Sequence, residues 1–356
     1  MAGFLEITVS SRRRRTRRTI LLALVVLAAL LVVGCGAGGS GEPGGNEKSG
    51  DAGLRPARMA VWSPPLAEQS NVYAAQEFGW FKDRGLGFEL IPGEGGGDAV
   101  QQLISGNADF AFANIEALLL AVDKGAKLKA VYNIYPQNVF NVVSPKGKGI
   151  TKPEDLKGKK IGVYSRTSGT YQSLLYILNS AGLSEEDVEV VPVGVANFGP
   201  LISGQVDAMA ATDTGLYLAQ QKGLGEANVM WARDFFNSPS DVMIVREETY
   251  EKEKDYVLDF LAAYKQGTQW MLDHPEEAAE LAKEYAVNAD DARANLETIR
   301  LRNEATLSPA TKEYGLGWFE LDLLQGQAEK YREVGLVKNP IDVDALYTNE
   351  LVERLR

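Results

Sequence analysis

Leu103-Ile104-Ser105-Gly106-Asn107-Ala108-Asp109 returns later in the chain as Leu201-Ile202-Ser203-Gly204-Gln205-Val206-Asp207. Each copy reads as a helix end, a glycine cap and a turn into a short apolar strand. The strand is Phe110-Ala111-Phe112-Ala113 in the first copy and Ala208-Met209-Ala210-Ala211 in the second. Each strand then meets a polar loop, Asn114-Ile115-Glu116 or Thr212-Asp213-Thr214. Helix–glycine–strand steps are common in any α/β protein. The same step used twice predicts two lobes of like topology, a build that holds a small molecule between its halves.

Working outward, Arg58–Trp62 reads as a first strand, stopped at Ser63-Pro64-Pro65 because proline cannot continue a central strand. Helical character resumes near Asn71 and ends before Gly79, and Phe88–Ile91 is a second strand. Asp98, after Gly95-Gly96-Gly97, is the expected N-cap of a helix over Ala99–Ser105. Leu128–Ser144 is strand-like with Tyr135-Pro136 in its middle, and Ile161–Tyr164, Val188–Val193 and Asp241–Arg246 are further strands. The βαβα alternation predicts mostly parallel sheets flanked by helices. From Tyr250 onward the chain reads as helices, a block expected to pack on the first lobe and to offer no chemistry of its own.

The N-terminal segment reads as a leader outside the fold. Six arginines between Arg12 and Arg18 precede an unbroken apolar run, Ile20–Val33, which is shorter than the ~20 residues of a membrane span. It ends in Val32-Val33-Gly34-Cys35, which resembles a bacterial lipobox, in which the cysteine is lipidated and becomes the mature N-terminus. Cys35 is the only cysteine, so no disulfide forms within the chain, and anchoring is its expected use. Gly36–Gly53 has glycine at eight of 18 positions and reads as a flexible tether.

The whole chain carries a formal charge of -11; without the leader, 31 basic and 47 acidic residues remain, a net charge of -16. Such a surface argues against nucleic acid and against broad contact with anionic lipid. One histidine, His274, sits at a helix boundary and has no second histidine or cysteine partner for a transition-metal site. No glycine-rich phosphate loop is present. These absences predict a protein without cofactor or metal, and not an enzyme.

Tyr73-Ala74-Ala75-Gln76-Glu77-Phe78-Gly79-Trp80-Phe81-Lys82-Asp83-Arg84-Gly85-Leu86 resembles the entry segment of the periplasmic substrate-binding proteins that handle thiamine-pyrimidine precursors, alkanesulfonates, taurine, nitrate and riboflavin. The repeated Ser-Gly-x-x-Asp step and Ile150–Val163 fit the same group, and the likeness runs from Arg58 to Val245. It implies a two-lobed periplasmic-binding-protein fold of type II, with two crossover strands as hinge. The implied boundaries are a signal peptide over 1–34, lipidated cysteine and tether over 35–53, lobe 1 over 54–136 plus 239–356, and lobe 2 over 137–238.

The sharpest local site is Ser165-Arg166-Thr167-Ser168-Gly169-Thr170, which runs into a helix whose free N–H groups converge there. The resemblance implies that this turn contacts a polar or anionic group of the ligand. It also implies that Asn114 and Glu116 line the cleft from lobe 1 and Asp213 from lobe 2. Relatives carry Trp-Asp-Pro at the last position, and only the Asp is kept here. Trp62, Pro64 and Asn71 follow the first strand, where open α/β sheets bind ligands. Tyr135 and Trp231 lie near the crossovers and offer aromatic walls for a flat ring.

The expected function is therefore the lipid-anchored solute-binding component of an ABC importer, outside the cell membrane. It would act as a monomer and deliver a thiamine-pyrimidine-like heterocycle to a permease and its ATPase. Alkanesulfonate, taurine, nitrate and riboflavin are the alternative ligands. An enzyme of the same fold and a sensor subunit of a membrane receptor are alternatives of another class. Arg166 is the only basic residue of the expected cleft segments, which argues against an anionic ligand.

Overall fold

The computed structural model describes residues 53–356. The expected signal peptide, Cys35 and the tether through residue 52 lie outside the described residues. Among the described residues no helix is long and apolar enough to cross a membrane.

Ten strands form two five-stranded sheets. They are β1 Arg55–Val61, β2 Leu86–Ile91, β3 Phe110–Asn114, β4 Leu128–Tyr135, β5 Phe140–Pro145, β6 Lys160–Val163, β7 Glu189–Pro192, β8 Ala208–Thr212, β9 Ala227–Trp231 and β10 Asp241–Arg246. The first sheet has the order β2-β1-β3-β10-β4 and the second β7-β6-β8-β5-β9. In the first, β1 is parallel to β2 and β3, and β10 opposes β3 and β4. In the second, β6 is parallel to β7 and β8, and β5 opposes β8 and β9. The two orders match position for position. Four strands of each sheet run one way, and the single opposed strand is the one that has just crossed from the other sheet. The chain has the periplasmic-binding-protein fold.

The doubled heptapeptide explains part of this likeness. Both copies enter the third strand of their sheet, β3 or β8. Gly106 and Gly204 take φ of 78° and 74°, a left-handed turn that favours glycine. Asp109 N donates to Arg58 O and Asp207 N to Lys160 O, each at 2.8 Å. In return each Asp carboxylate accepts from the backbone N–H of that same partner, Arg58 or Lys160, at 3.1 Å. The repeated Asp thus clamps the third strand to the first in both lobes.

Helices cover both faces of each sheet, so β3 is buried on both sides. Its large residues face one way: Phe110 stacks on Phe260 of the helix Lys254–Asp273. Its small ones, Ala111 and Ala113, face the helices Gly96–Ile104 and Ile115–Asp123 through Leu103 and Leu118.

The strand-like run 128–144 divides around Pro136 into β4 and β5, which lie in different sheets. One detail differs from expectation. The helix expected after Asp98 starts at Gly96 with Gly95 as its N-cap. Asp98 is inside the first turn, and its carboxylate accepts from Glu94 N instead. The early start follows from contact with the other lobe: Gly97 N donates to Thr167 O at 2.9 Å, and a Cβ on Gly95 would lie 2.7 Å from Thr167 Oγ1.

The two connections between sheets, residues 136–139 and 236–240, are bonded to each other and to the sheet ends. Ser240 N donates to Tyr135 O, Ser240 Oγ to Gln137 O, and Asn138 N to Asn237 Oδ1.

Candidate ligand-binding site

The carboxyl ends of the parallel strands in both sheets point at one narrow cavity between them. From the first sheet it is lined by Trp62 after β1, Asn114 at the end of β3 and Tyr135 at the end of β4. Asp241 lines it from the start of the opposed strand β10. The second sheet supplies Tyr164 after β6, Thr212 at the end of β8 and Phe140 at the start of the opposed strand β5. Gly96, Val139, Ser168, Gly169, Thr170 and Arg302 complete the wall.

Ser168, Gly169 and Thr170 enter this wall as the N-terminus of the helix Gly169–Ser180. Their hydroxyls are spent locally. Ser168 Oγ donates to Ser165 O, meets Thr170 Oγ1 at 2.8 Å and accepts from Tyr171 N, while Thr170 Oγ1 accepts from Tyr164 N. What the turn offers a ligand is the first-turn N–H groups, which have no intrahelical carbonyl to meet. Gly169 is required by space, since a Cβ there would lie 2.5 Å from Phe140 Cζ.

Ser165, Thr167 and Pro64 lie further out and line the wide groove at the mouth. Ser165 Oγ donates to Glu94 O across the lobes at 2.5 Å. Arg166 faces solvent and pairs with Glu185, so it offers the cavity no charge.

The expected lining is corrected at several positions. Asn71 is buried between two helices and donates to Thr268 Oγ1 at 3.1 Å, because the helix Ser70–Glu77 turns it toward the helix Lys254–Asp273. Glu116 is behind the wall, accepting from Asn114 Nδ2 at 2.7 Å and from the Tyr331 hydroxyl. Asp213 turns from the inner cavity toward Arg302. Trp231 lies on the edge strand β9 under the Arg233 guanidinium, 4.2 Å from its ring centroid, and is not in the cavity wall. His274 stacks on Trp270 outside the cavity.

The residue that sequence reading missed is Arg302. It belongs to the C-terminal helix Ala292–Thr306, in the block expected to carry no chemistry, yet its side chain is only 2% exposed and it lines the cavity. It donates to Glu68 Oε2 at 2.8 Å, to Thr214 Oγ1 at 2.9 Å and to Asp213 Oδ1. Glu68 belongs to the β1 side and Asp213 and Thr214 to the second sheet's side, so one guanidinium ties the two together. The signal was present: Asn295, Thr298, Ile299, Arg302, Ala305 and Thr306 share one helical stripe, and that stripe is the buried one.

Burial disfavours charge on Arg302, but Asp213 and Glu68 outweigh it and its pKa rises. One arginine does not balance its surroundings. Burial pushes Glu68, Glu116 and Asp213 above the usual carboxylate range, and it pushes Asp241 up to about 7. Glu68, Asp213 and Asp241 thus share one cation, and the cavity disfavours a further anion.

Asn114 occupies the N-cap position of the helix Ile115–Asp123, but its side chain makes no cap bond. Its amide nitrogen donates to Glu116 Oε2 and to Gln172 Oε1, at 2.7 and 2.6 Å. Its Oδ1 is buried and has no partner among the described residues.

A family profile described as "NMT1/THI5 like" matches residues 67–278, more than half of the chain. A riboflavin-binding protein, RibY, from Chloroflexus aurantiacus is 27% identical over 246 residues, covering 68% of this chain and 70% of that protein. A formylaminopyrimidine-binding protein from Halalkalibacterium halodurans is 24% identical over 266 residues, covering 74% of this chain and 79% of that one. Among solved structures, the alkanesulfonate-binding protein SsuA from Xanthomonas axonopodis pv. citri, bound to MOPS, superposes with a TM-score of 0.67 at 18% identity. That match covers 82% of this chain and 98% of SsuA, and it bears on the fold alone.

Proposed function

Since the chain belongs to the NMT1/THI5-like family, we propose that it is the solute-binding component of an ABC importer. It is held outside the cell membrane by a lipid on Cys35. It captures a compact nitrogen heterocycle bearing N–H donors, of the aminopyrimidine class, between its lobes. Closure around the ligand is the state that the permease reads.

The observation that carries this reading is the composition of the cavity wall. Trp62, Tyr135, Tyr164 and Phe140 supply aromatic surface from both sheets, while Asn114 Oδ1 and the Asp241 carboxyl supply acceptors. A flat ring with donors on its edge suits both features. An alkanesulfonate or nitrate fits less well, because Arg302 is already engaged by Glu68 and Asp213. A flavin shares the flat ring, and the likeness to RibY makes it the second ligand to test.

Native mass spectrometry of the gently purified protein tests this. The expected result is a one-to-one complex that releases an intact nitrogen heterocycle on activation. Release of a sulfonate would overturn the ligand assignment and keep the solute-binding role. Chemical conversion of the bound molecule during incubation would overturn that role in favour of an enzyme.

A further inference from the structure

Asn114 is at the end of β3, and its register partner on the neighbouring antiparallel strand is Asp241. Both side chains line the cavity. An amide side chain can normally turn over to present either its oxygen or its NH2, so an asparagine in a binding site is ambiguous. Here it is not. Both hydrogens of Asn114 Nδ2 are taken, one by Glu116 Oε2 at 2.7 Å and the other by Gln172 Oε1 at 2.6 Å. The oxygen is left buried and unpartnered. Turning Asn114 alone would set oxygen against two oxygens, and turning Gln172 with it would still set oxygen against the Glu116 carboxylate.

The two holders come from different halves of the molecule. Glu116 is in the helix that follows β3 and is itself held by the Tyr331 hydroxyl. Gln172 is in the helix Gly169–Ser180, which follows β6 of the other sheet, and is 6% exposed. Opening of the cleft would separate Gln172 from Asn114 while leaving Glu116 in place.

We infer that Gln172 is a positioning residue that completes the ligand site across the cleft: on closure it fixes Asn114 as an acceptor beside the Asp241 carboxyl, so that the closed cavity selects a ligand edge that sets an N–H donor, and not a lone pair, against Asn114 Oδ1. This rests on the solute-binding reading above and adds a mechanism for selectivity. An open lobe presents an amide free to suit either kind of edge. In the closed protein Asn114 presents only its oxygen, and a ligand with a lone pair at that place leaves Asn114 Oδ1 facing another acceptor. Losing that complementarity costs a buried hydrogen bond on each side. Selection is therefore made at closure and not at first encounter.

The test uses two single-ring probes: a pyrimidine with an amino group beside a ring nitrogen, and the same pyrimidine with methoxy in place of amino. Their affinities are measured by calorimetry for the wild-type protein, Gln172→Leu and Gln172→Glu. The readout is the ratio of the two affinities, which a general loss of stability does not change. The wild-type protein should prefer the amino probe about ten- to a hundredfold. In Gln172→Leu the amide is released and the ratio should collapse toward one. In Gln172→Glu the carboxylate still accepts from Nδ2, and the preference should return. A wild-type ratio near one, an unchanged ratio in Gln172→Leu, or no binding of either probe overturns the inference. If both pyrimidines are ignored and an unrelated solute still binds, the solute-binding reading survives alone. If no solute of a broad panel binds, both fall.

Discussion

Arg302 of the C-terminal helices and Asp213 of the opposite lobe form an ion pair with side-chain exposures of 2% and 13%. Glu68 completes it at 2.8 Å and is 4% exposed. A chain that looks like two lobes and an appended helical block is thus tied across the cleft by a residue of that block. Removing the cation leaves two buried carboxyl groups with only Thr214 as a partner and no counter-ion, the costly way to break such a network. Arg302→Leu should lower stability by about 3–5 kcal/mol, read as a lower urea midpoint with unchanged slope. Arg302→Lys should recover only part of this, since an ammonium lacks the fork that reaches both carboxylates. A midpoint equal to wild type in Arg302→Leu would contradict the clasp.

Asp241 gives a pH signature of the cavity. Burial, the largest influence, lifts its folded pKa to about 7, whereas an unfolded aspartate titrates near ~3.9. Between these values the folded protein holds a proton that the unfolded chain has released. Its contribution to stability is therefore complete at low pH and is lost as pH rises from about 4 to about 7, by up to roughly 4 kcal/mol. Asp241→Asn keeps the shape and removes the titration. Relative to wild type, the variant should gain stability as pH goes from 5 to 7.5, roughly the window over which Asp241 ionises. Parallel urea midpoints for the two proteins across that range would refute the buried-acid assignment.

Gly96 tests how closely the wall is built. A Cβ there would lie 2.0 Å from Asn114 Oδ1, the acceptor proposed to meet the ligand. Gly96→Ala must push that side chain into the cavity or away from its holders. The expected cost to folding is about 1–3 kcal/mol, with at least about tenfold weaker ligand binding. Unchanged affinity by fluorescence titration of Trp62 would place the ligand elsewhere.

The doubled Ser-Gly-x-x-Asp step made the fold readable because its glycine turns act locally and appear twice; the clamps of Asp109 to Arg58 and Asp207 to Lys160, 51 and 47 positions away, were not legible in it. The turn at Ser168–Thr170 was readable for the same reason, as a local strand-to-helix junction. What could not be read was tertiary pairing. Asn71, Glu116 and Asp213 are polar residues near strand ends, like true lining residues, but their partners Thr268, Tyr331 and Arg302 are about 90 to 215 positions away. Asp241 looked like the start of a strand and nothing more, since its role comes from its neighbours Asn114 and Tyr135 in the sheet. Arg302 was hidden by its type: an arginine on a helix reads as a solvated charge until the stripe it shares with Ile299 is taken seriously.

The anchor is a separate claim with a separate test. Cys35→Ser, expressed with its leader, should leave the thermal unfolding of the globular part unchanged and move the protein from the membrane fraction to the soluble extracytoplasmic fraction. A variant that stays membrane-bound after a high-salt wash would contradict lipidation at Cys35.

The central claim is that a donor-bearing heterocycle closes the two lobes around itself. Small-angle scattering during titration with an aminopyrimidine, set beside the same titration with taurine, measures this in one experiment. The account predicts a smaller radius of gyration that saturates at one aminopyrimidine per chain and no change with taurine. Compaction by taurine with none by the aminopyrimidine would contradict it.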